Sequence, residues 1–269
     1  MYRLNPLAGR AGRAAAAALT FTLALLAGCA TDLSTSEKTG GPALAMQNKA
    51  LYPGNGGALV GADALRPGDI ILTADNGINS AGIRLITLSP VSHAAVYLGN
   101  GQVAEAVGDG IRRRTVTDLV AQEATVVAFR HPGVTAGHAA KMDAFVERHI
   151  GQKYNYVGVM LQAPFALERR VCELPLVPSP VRDFCLRGVA AVQLGLGRND
   201  QFFCSQFILE AYRAADLPLT DADPRLINPG DLLHMREGDV PSVRIHQTLQ
   251  YVGHLKSPPQ TVVLNENSR

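Results

Sequence analysis

The stretch VSHAAVYLGNGQVAEA, residues 91–106, predicts two antiparallel strands joined by a tight turn. Alternation over HAAVYLG places His93, Ala95 and Tyr97 on one face of the first strand, because successive side chains of a strand point to opposite faces. The small alanines leave room for another side chain to approach the imidazole. His93 is therefore a candidate for a functional histidine.

The length of the turn decides which face Glu105 occupies. A three-residue Gly-Asn-Gly loop pairs Leu98 with Gln102. That loop sets Glu105 opposite Ala95, on the face of His93. A two-residue Asn-Gly turn sets Glu105 on the other face, because a one-residue change of register reverses every side chain. With the longer loop, Glu105 is placed to orient the imidazole.

A second segment supplies a nucleophile. CSQFILEAYRAADLPL predicts an amphipathic helix that begins at Cys204, with a stripe of Phe207, Ile208, Ala211 and Ala215. Unpaired backbone N–H groups at a helix N-terminus stabilise a thiolate. A buried core cysteine is the alternative interpretation. The position at the helix start favours a nucleophile, and His93 is the favoured base among the seven histidines.

The N-terminus has the features of an exported lipoprotein. Three arginines precede the apolar run AAAAALTFTLALLAG, which has the charge order and length of a signal peptide and is short for a membrane span. The sequence LAGC, Leu26–Cys29, resembles a bacterial lipobox, so residues 1–28 are expected to be removed and Cys29 to carry lipid. By resemblance to lipoprotein sorting signals, Ala30 after this cysteine, rather than Asp, implies the outer membrane on its periplasmic side. A chance cysteine after a signal peptide is the alternative.

The remaining chain is expected to have a simple organisation. Residues 29–58 are rich in Gly, Ser, Thr and Pro and predict a flexible tether, and residues 59–269 form the folded domain. The length, with 47% hydrophobic and 18% charged residues, suits one globular domain. The net charge is only +2, and the basic cluster at 112–114 lacks interleaved aromatic residues. Nucleic acid is therefore not an expected partner.

The other cysteines bear on export and on metal binding. Cys172 and Cys185 flank the loop-like ELPLVPSPVRDF and are candidates for a disulfide in an exported protein, which leaves the thiol of Cys204. His, Cys and carboxylate residues do not show the spacing of a metal site, so neither metal nor another cofactor is expected.

Four segments together resemble a known family. RPGDIIL (66–72), SHAAVYLGNGQVAEA (92–106), GQKYNY (151–156) and FFCSQFILEAY (202–212) are similar, in order, to motifs of the NlpC-type papain-like cysteine hydrolases, which include cell-wall peptidases. The order resembles the circularly permuted branch, because the histidine strand precedes the nucleophile helix. The likeness covers roughly residues 62–235. It implies an α+β fold in which a small antiparallel sheet packs against the helix that carries the thiol.

The resemblance also implies roles for individual residues. Cys204 matches the nucleophile, His93 the general base and Glu105 the residue that orients the imidazole. Tyr154 matches a tyrosine on the oxyanion or substrate side of the family's site, although a packing role is equally consistent. A second PGD, at 229–231, precedes further histidines in the unpermuted order, so a pairing of Cys204 with His254 is the rival assignment.

These features predict a lipid-anchored hydrolase. A Cys-His-Glu triad is expected to cleave an amide bond through an acyl-enzyme, with a cell-wall peptide as the natural substrate. The apolar segment at about 157–200 is larger than the family core needs and is interpreted as an inserted cap over the site. It favours the alternative of a thiol acyltransferase or lipase acting on lipid acyl groups. A non-catalytic binding lipoprotein is the third interpretation.

Overall fold

The computed structural model describes residues 31–35, 42–46, 57–87, 89–153, 169, 171–172, 177–178, 181–182, 184–186, 188, 202–236, 243 and 245–257. In these ranges the chain is an α+β protein built on a six-stranded antiparallel sheet. The predicted α+β class with an antiparallel sheet is therefore confirmed. The finer assignment to a permuted papain-like fold stays a prediction.

The strands form two sheets. A two-stranded sheet contains β1 (Thr31–Thr35) and β2 (Pro42–Met46). The larger sheet contains β3 (Ile70–Ala74), β4 (His93–Gly99), β5 (Gln102–Val107), β6 (Gly110–Thr115), β7 (Thr125–Arg130) and β8 (Gln250–Lys256). Its order is β6-β5-β4-β3-β7-β8, so β4 lies inside the sheet with a strand on each side.

The small sheet lies in the segment predicted to be a tether without regular structure. Its strands pair antiparallel, with Thr31 opposite Met46 and Thr35 opposite Pro42. A hairpin satisfies its backbone groups by pairing, which does not require a periodic pattern of side chains. Composition alone therefore did not reveal these strands. The domain boundary near residue 58 stays a prediction.

Five α-helices and two short 3-10 turns are described. The helices are α1 (Ile78–Thr87), α2 (Val116–Gln122), α3 (Ala136–His149), α4 (Cys204–Ala214) and α5 (Pro229–His234). The 3-10 turns are Ala62–Ala64 and Pro224–Leu226. Helix α4 begins at Cys204, as predicted. Within the described ranges, none of the helices combines the length and apolar character needed to cross a membrane.

Apolar side chains cover both faces of the large sheet. On one face the sheet packs against α3 and α4 through Ile70, Leu72, Val96, Ala104, Met142, Phe145, Phe207, Ile208 and Tyr212. On the other face it packs against α2 through Ile71, Ala95, Val103, Val126, Val116 and Leu119. The predicted helical stripe of α4 is fully buried in the first cluster. Burial of these apolar side chains is the main force that holds α4 against β4.

The β4–β5 hairpin turns on Asn100 and Gly101. Both have positive φ, 51° and 71°, which is the conformation that a two-residue type I′ turn requires and that Asn and Gly adopt most readily. Gly99 pairs with Gln102 across the turn. The predicted three-residue loop, which pairs Leu98 with Gln102, is therefore wrong.

A β-bulge nevertheless produces the predicted register. The pairing shifts after Tyr97, so Leu98 is an extra residue of β4 without a partner in β5. The bulge offsets the shorter turn by one residue, and Ala95 pairs with Glu105. The prediction that Glu105 shares the face of His93 is confirmed.

Candidate active site

The start of α4 is fixed by packing on one side and a hydrogen bond on the other. The Phe202 ring lies edge-on to the His149 ring of α3, with centroids 5.3 Å apart. The Ser205 hydroxyl donates to the carbonyl of Ile227 at 2.6 Å, and Ser205 is fully buried. These contacts hold Cys204, which is itself buried, at a defined position.

The first turn of α4 presents backbone N–H groups. Phe203 is the N-cap residue, and its apolar side chain cannot accept a hydrogen bond from the turn that follows. The N–H groups at the start of a helix lack partners within the helix. They stabilise negative charge placed beside them, on a thiolate or on a substrate oxygen.

A hydrogen bond at the far end of α4 ties the helix to the sheet. The Tyr212 hydroxyl donates to the carbonyl of Gly68 at 2.5 Å, just before β3 begins. Tyr212 is fully buried. The helix is thereby held against the strand that neighbours β4.

His93 lies between the thiol and a carboxylate. It is the first residue of β4, its ring hydrogen-bonds to Glu105, and it lies close enough to the Cys204 thiol for the two groups to interact. Its Nε2 lies 2.8 Å from Glu105 Oε2, which leaves Nδ1 for the thiol. Burial alone lowers the pKa of His93, but the hydrogen bonds to Cys204 and Glu105 and the charges of these groups raise it to about 10. The site therefore favours an imidazolium beside the sulfur.

Glu105 is a fully buried carboxylate surrounded by cations. Arg112 Nε donates to its Oε1 at 2.9 Å, and Arg114 Nη2 donates to its Oε2 at 3.0 Å. Burial raises the pKa of Glu105, but the His93 hydrogen bond and charge, with the Arg114 charge and the Arg112 hydrogen bond, lower it to about 2. Glu105 is therefore ionised at neutral pH.

Sequence reasoning missed the part that the arginines play. It treated 112–114 as a basic cluster, whereas Arg112 and Arg114 contact Glu105 from β6. Arg113 contacts carboxylates of α3 instead, at 2.8 and 2.6 Å from Asp143 and Glu147. Period-2 alternation along β6 was the signal that separates Arg113 from its neighbours.

The rival base lies elsewhere in the sheet. His254 belongs to β8, and β3 and β7 separate β8 from β4. Three strand spacings amount to about 14 Å. The second PGD begins a helix, because Pro229 is the first residue of α5. The structure brings Cys204 to His93 rather than to His254.

The other predicted residues divide into two groups. Cys172 and Cys185 form a disulfide, with their Cα atoms 5.7 Å apart. Tyr154, Cys29 and most of the predicted insert at 157–200 lie outside the described residues. Within the part that the structure describes, His, Cys, Asp and Glu side chains do not form a group of three or more suited to a metal ion.

Fold and site define an α+β protein with a cysteine at a helix start, a histidine at a strand start and a buried glutamate behind the histidine. The chain is 33% identical over 243 residues to the probable lipoprotein peptidase YaeF of Escherichia coli strain K12, covering 86% of this chain and 89% of that protein. The chain belongs to the family of this probable lipoprotein peptidase.

The chain was also compared with solved structures and with protein-family models. Metalloprotein yiiX from Escherichia coli O157:H7 is a solved structure that the chain resembles with a TM-score of 0.40 and 17% identity, over 69% of this chain and 95% of that one. The chain matches no family model.

Proposed function

We propose that this chain is a lipid-anchored thiol hydrolase that cleaves an amide bond, in a cell-wall peptide or a related amide, with Cys204, His93 and Glu105. The observation that carries the proposal is the placement of the His93 ring between the Cys204 thiol and the Glu105 carboxylate. A thiol paired with an oriented imidazole is the arrangement of a nucleophile and its base. The name of the relative, a probable lipoprotein peptidase, supports peptide hydrolysis by an exported protein.

In the acylation step, the Cys204 thiolate attacks the carbonyl carbon and forms a C–S bond. The electrons of the carbonyl double bond move to oxygen, and the backbone N–H groups at the start of α4 donate to this oxyanion. When the carbonyl re-forms, the C–N bond breaks and the His93 imidazolium donates its proton to the leaving nitrogen. The amine departs, and the acyl group remains on sulfur as a thioester.

In the deacylation step, water attacks the thioester. The neutral His93 ring accepts a proton from the water as its oxygen bonds to the acyl carbon. The C–S bond then breaks, which returns the thiolate and releases the carboxylic acid. Glu105 holds the ring in orientation through both steps and stabilises the imidazolium.

The predicted N-terminus suggests where the reaction takes place. Cleavage after residue 28 and lipid on Cys29 anchor the chain to a membrane outside the cytoplasm. Ala30 after this cysteine favours the outer membrane, where the periplasmic side faces the cell wall. A peptide of the cell wall is therefore the substrate class that we propose.

A second candidate is acyl transfer from a lipid. Val171, Val181 and Phe184 lie in the predicted insert and are 54%, 56% and 82% exposed. Exposed apolar side chains of this size suit contact with acyl chains. The same thiol would then accept an acyl group from an ester and pass it to an amine, an alcohol or water.

The test offers both substrate classes to the purified chain. Peptidoglycan fragments and phospholipid acyl donors are incubated separately with the wild type, and products are identified by mass spectrometry. We expect cleaved peptides, no product with Cys204→Ala and a loss of roughly a thousandfold or more with His93→Ala. His246→Ala is the control, because this exposed ring pairs with Asp221 and should stay near wild-type activity.

Each other outcome favours a different function. Transfer of lipid acyl groups without peptide cleavage, lost in Cys204→Ala, replaces the amidase with the acyltransferase. Peptide binding without any product, unchanged by Cys204→Ala, replaces the enzyme with the binding lipoprotein.

A further inference from the structure

We propose that Arg114 is a positioning residue for the thiol and imidazole and that it acts through Glu105. Arg114 lies on β6, two strands from β4, so its effect on His93 passes through the carboxylate between them. The inference rests on the proposed function, because it concerns the reactivity of the same Cys204.

The contacts of Arg114 make a continuous link to the imidazole. Oxygen Oε2 of Glu105 is shared by His93 Nε2 at 2.8 Å and Arg114 Nη2 at 3.0 Å. The same Nη2 donates to Glu123 Oε1 at 3.1 Å, and Nη1 donates to Gln122 Oε1 at 2.7 Å. The guanidinium therefore bridges two carboxylates and is fixed in place at the end of α2.

Burial separates Arg114 from the other cation at this carboxylate. The side chain of Arg114 is 9% exposed, whereas that of Arg112 is 43% exposed. Solvent screens the charge of a half-exposed guanidinium more strongly than that of a buried one. Of the groups that face Glu105, which are His93, Arg112 and Arg114, the last is thus the dominant fixed counter-charge.

The geometry of the guanidinium matters as well as its charge. A planar fork with several N–H donors can hold two carboxylates at fixed angles, which an ammonium group cannot do. Through this fork Glu123 fixes Arg114, and Arg114 directs Oε2 of Glu105 towards His93. Loss of the fork removes the guanidinium donor to Oε2 and leaves Arg112, on the other oxygen, as the remaining arginine contact, so the carboxylate can tilt away from the imidazole.

Strand β6 supplies a matched control. Arg113 has the same charge and the same strand, but it contacts Asp143 and Glu147 of α3 on the other face of the sheet. Replacing Arg113 removes a cation of β6 whose partners lie on α3, and it leaves the contacts of Glu105 unchanged. A general effect of net charge or of β6 stability therefore appears in both variants, and a positioning effect appears only in Arg114 variants.

The experiment measures the alkylation rate of Cys204 by iodoacetamide across pH in the full chain, with mass spectrometry to assign the site. Cys204 is the free cysteine of the described residues. In the wild type we expect rapid alkylation at pH of about 6, because the His93 imidazolium beside the sulfur favours the reactive thiolate. Arg114→Met should lower the rate at pH of about 6 by roughly tenfold and move the acid limb to higher pH. Arg113→Met should follow the wild-type profile.

A second variant separates a positioning effect from a loss of folding. Arg114→Lys keeps a positive charge but lacks the fork, so we expect a rate between those of the wild type and Arg114→Met, with thermal unfolding measured in parallel. NMR titration of the His93 ring gives an independent readout, and we expect the ring to lose its proton at lower pH in both Arg114 variants. Loss of the cation alone would shift this titration the other way, because it favours the imidazolium. A shift to lower pH therefore reports a displaced Glu105 carboxylate rather than a change of net charge.

The failures of the two proposals are distinguishable. If the wild type reacts as an ordinary thiol, the proposed function is wrong. If the wild type shows reactivity at low pH but Arg114→Met and Arg114→Lys follow its profile and its His93 titration, the proposed function stands and the role of Arg114 is overturned.

Discussion

Glu105 lies opposite Ala95 in the β4–β5 hairpin, and this pairing depends on one extra residue, Leu98. With the same two-residue turn and no bulge, Glu105 would pair with Val96 and its side chain would point to the other face of the sheet. The bulge therefore decides whether a carboxylate reaches His93. A local irregularity of the backbone thus determines the composition of the site.

Gly99 is the residue of β4 that follows the bulge, so a substitution there tests whether the backbone conformation at the bulge is required for stability. Its φ is +98°, and a Cβ added there would lie 3.2 Å from Cγ of Pro67. Because both the conformation and the space disfavour a side chain, Gly99→Ala should lower the free energy of unfolding by about 1–2 kcal/mol in urea. Gly82→Ala is the control, since it adds a methyl group within a helix where the structure has open space. Equal midpoints for the two variants would contradict the prediction.

The ionisation of Glu105 predicts a dependence of stability on pH. Its folded-state pKa of about 2 lies below the ordinary value of 4.5, so the unfolded chain binds the proton more readily. The stabilisation is complete above pH 4.5 and is lost as the pH falls towards 2. The Tm advantage of the wild type over Glu105→Gln should therefore shrink across this window. Calorimetry that finds a constant difference refutes the assignment.

Local patterns predicted the two elements that carry the reactive groups. Strand β4 begins at His93 and helix α4 begins at Cys204, as alternation and the apolar stripe indicated. Both signals arise from short stretches whose burial on one face determines the conformation. For the same reason the predicted stripe of α4 is buried.

The surroundings of the carboxylate were harder to predict, because they depend on several strands at once. Which side chain of β6 meets Glu105 follows from the β5–β6 register, in which Glu105 pairs with Arg112. Arg114 reaches the same carboxylate diagonally, from the position opposite Val103. The bulge at Leu98 likewise reflects the fit of the turn to the sheet. Alternation along β6 separates Arg113 from its neighbours, but a single sequence contains no direct signal for the β5–β6 register or for the bulge.

The lipid anchor predicts a change of location. If Cys29 carries the lipid, Cys29→Ser removes the thioether attachment point, and the mature domain should move from the membrane fraction to the soluble fraction on detergent phase partition. Cys204→Ser is the control, because it alters a thiol in the folded domain and should leave the protein in the membrane fraction. Membrane association of Cys29→Ser equal to that of the wild type would count against the lipobox.

The disulfide between Cys172 and Cys185 closes a loop with a sequence separation of 13 residues. A crosslink of this kind restricts the unfolded chain, and the chain-entropy model gives about 3 kcal/mol for a loop of similar length. The double variant Cys172→Ser/Cys185→Ser should therefore unfold at lower urea concentration than the wild type. Reductant should destabilise the wild type by a similar amount and leave the double variant unchanged. A wild type that is insensitive to reductant contradicts the prediction.

The predicted insert is also connected to the domain by an ion pair. Arg169 Nη1 donates to Asp231 Oδ2 at 2.8 Å, and both side chains are buried. The same oxygen accepts a hydrogen bond from the backbone N–H of Asn228 at 2.9 Å, so Asp231 also caps α5. The carboxylate thus links the insert to the helix that follows α4.

Replacing Arg169 alone or Asp231 alone should lower the free energy of unfolding by more than replacing both together. Arg169→Met leaves a buried carboxylate without this cation, and such losses cost about 3–5 kcal/mol. Asp231→Asn keeps an oxygen for the cap but removes the charge, so the double variant should be more stable than the sum of the single changes predicts. Urea unfolding of the four proteins gives the coupling free energy directly. The exposed pair Lys141–Asp216, treated in the same way, should show almost no coupling, because solvent screens it. Additive effects for Arg169 and Asp231 would mean that the insert is held by other contacts.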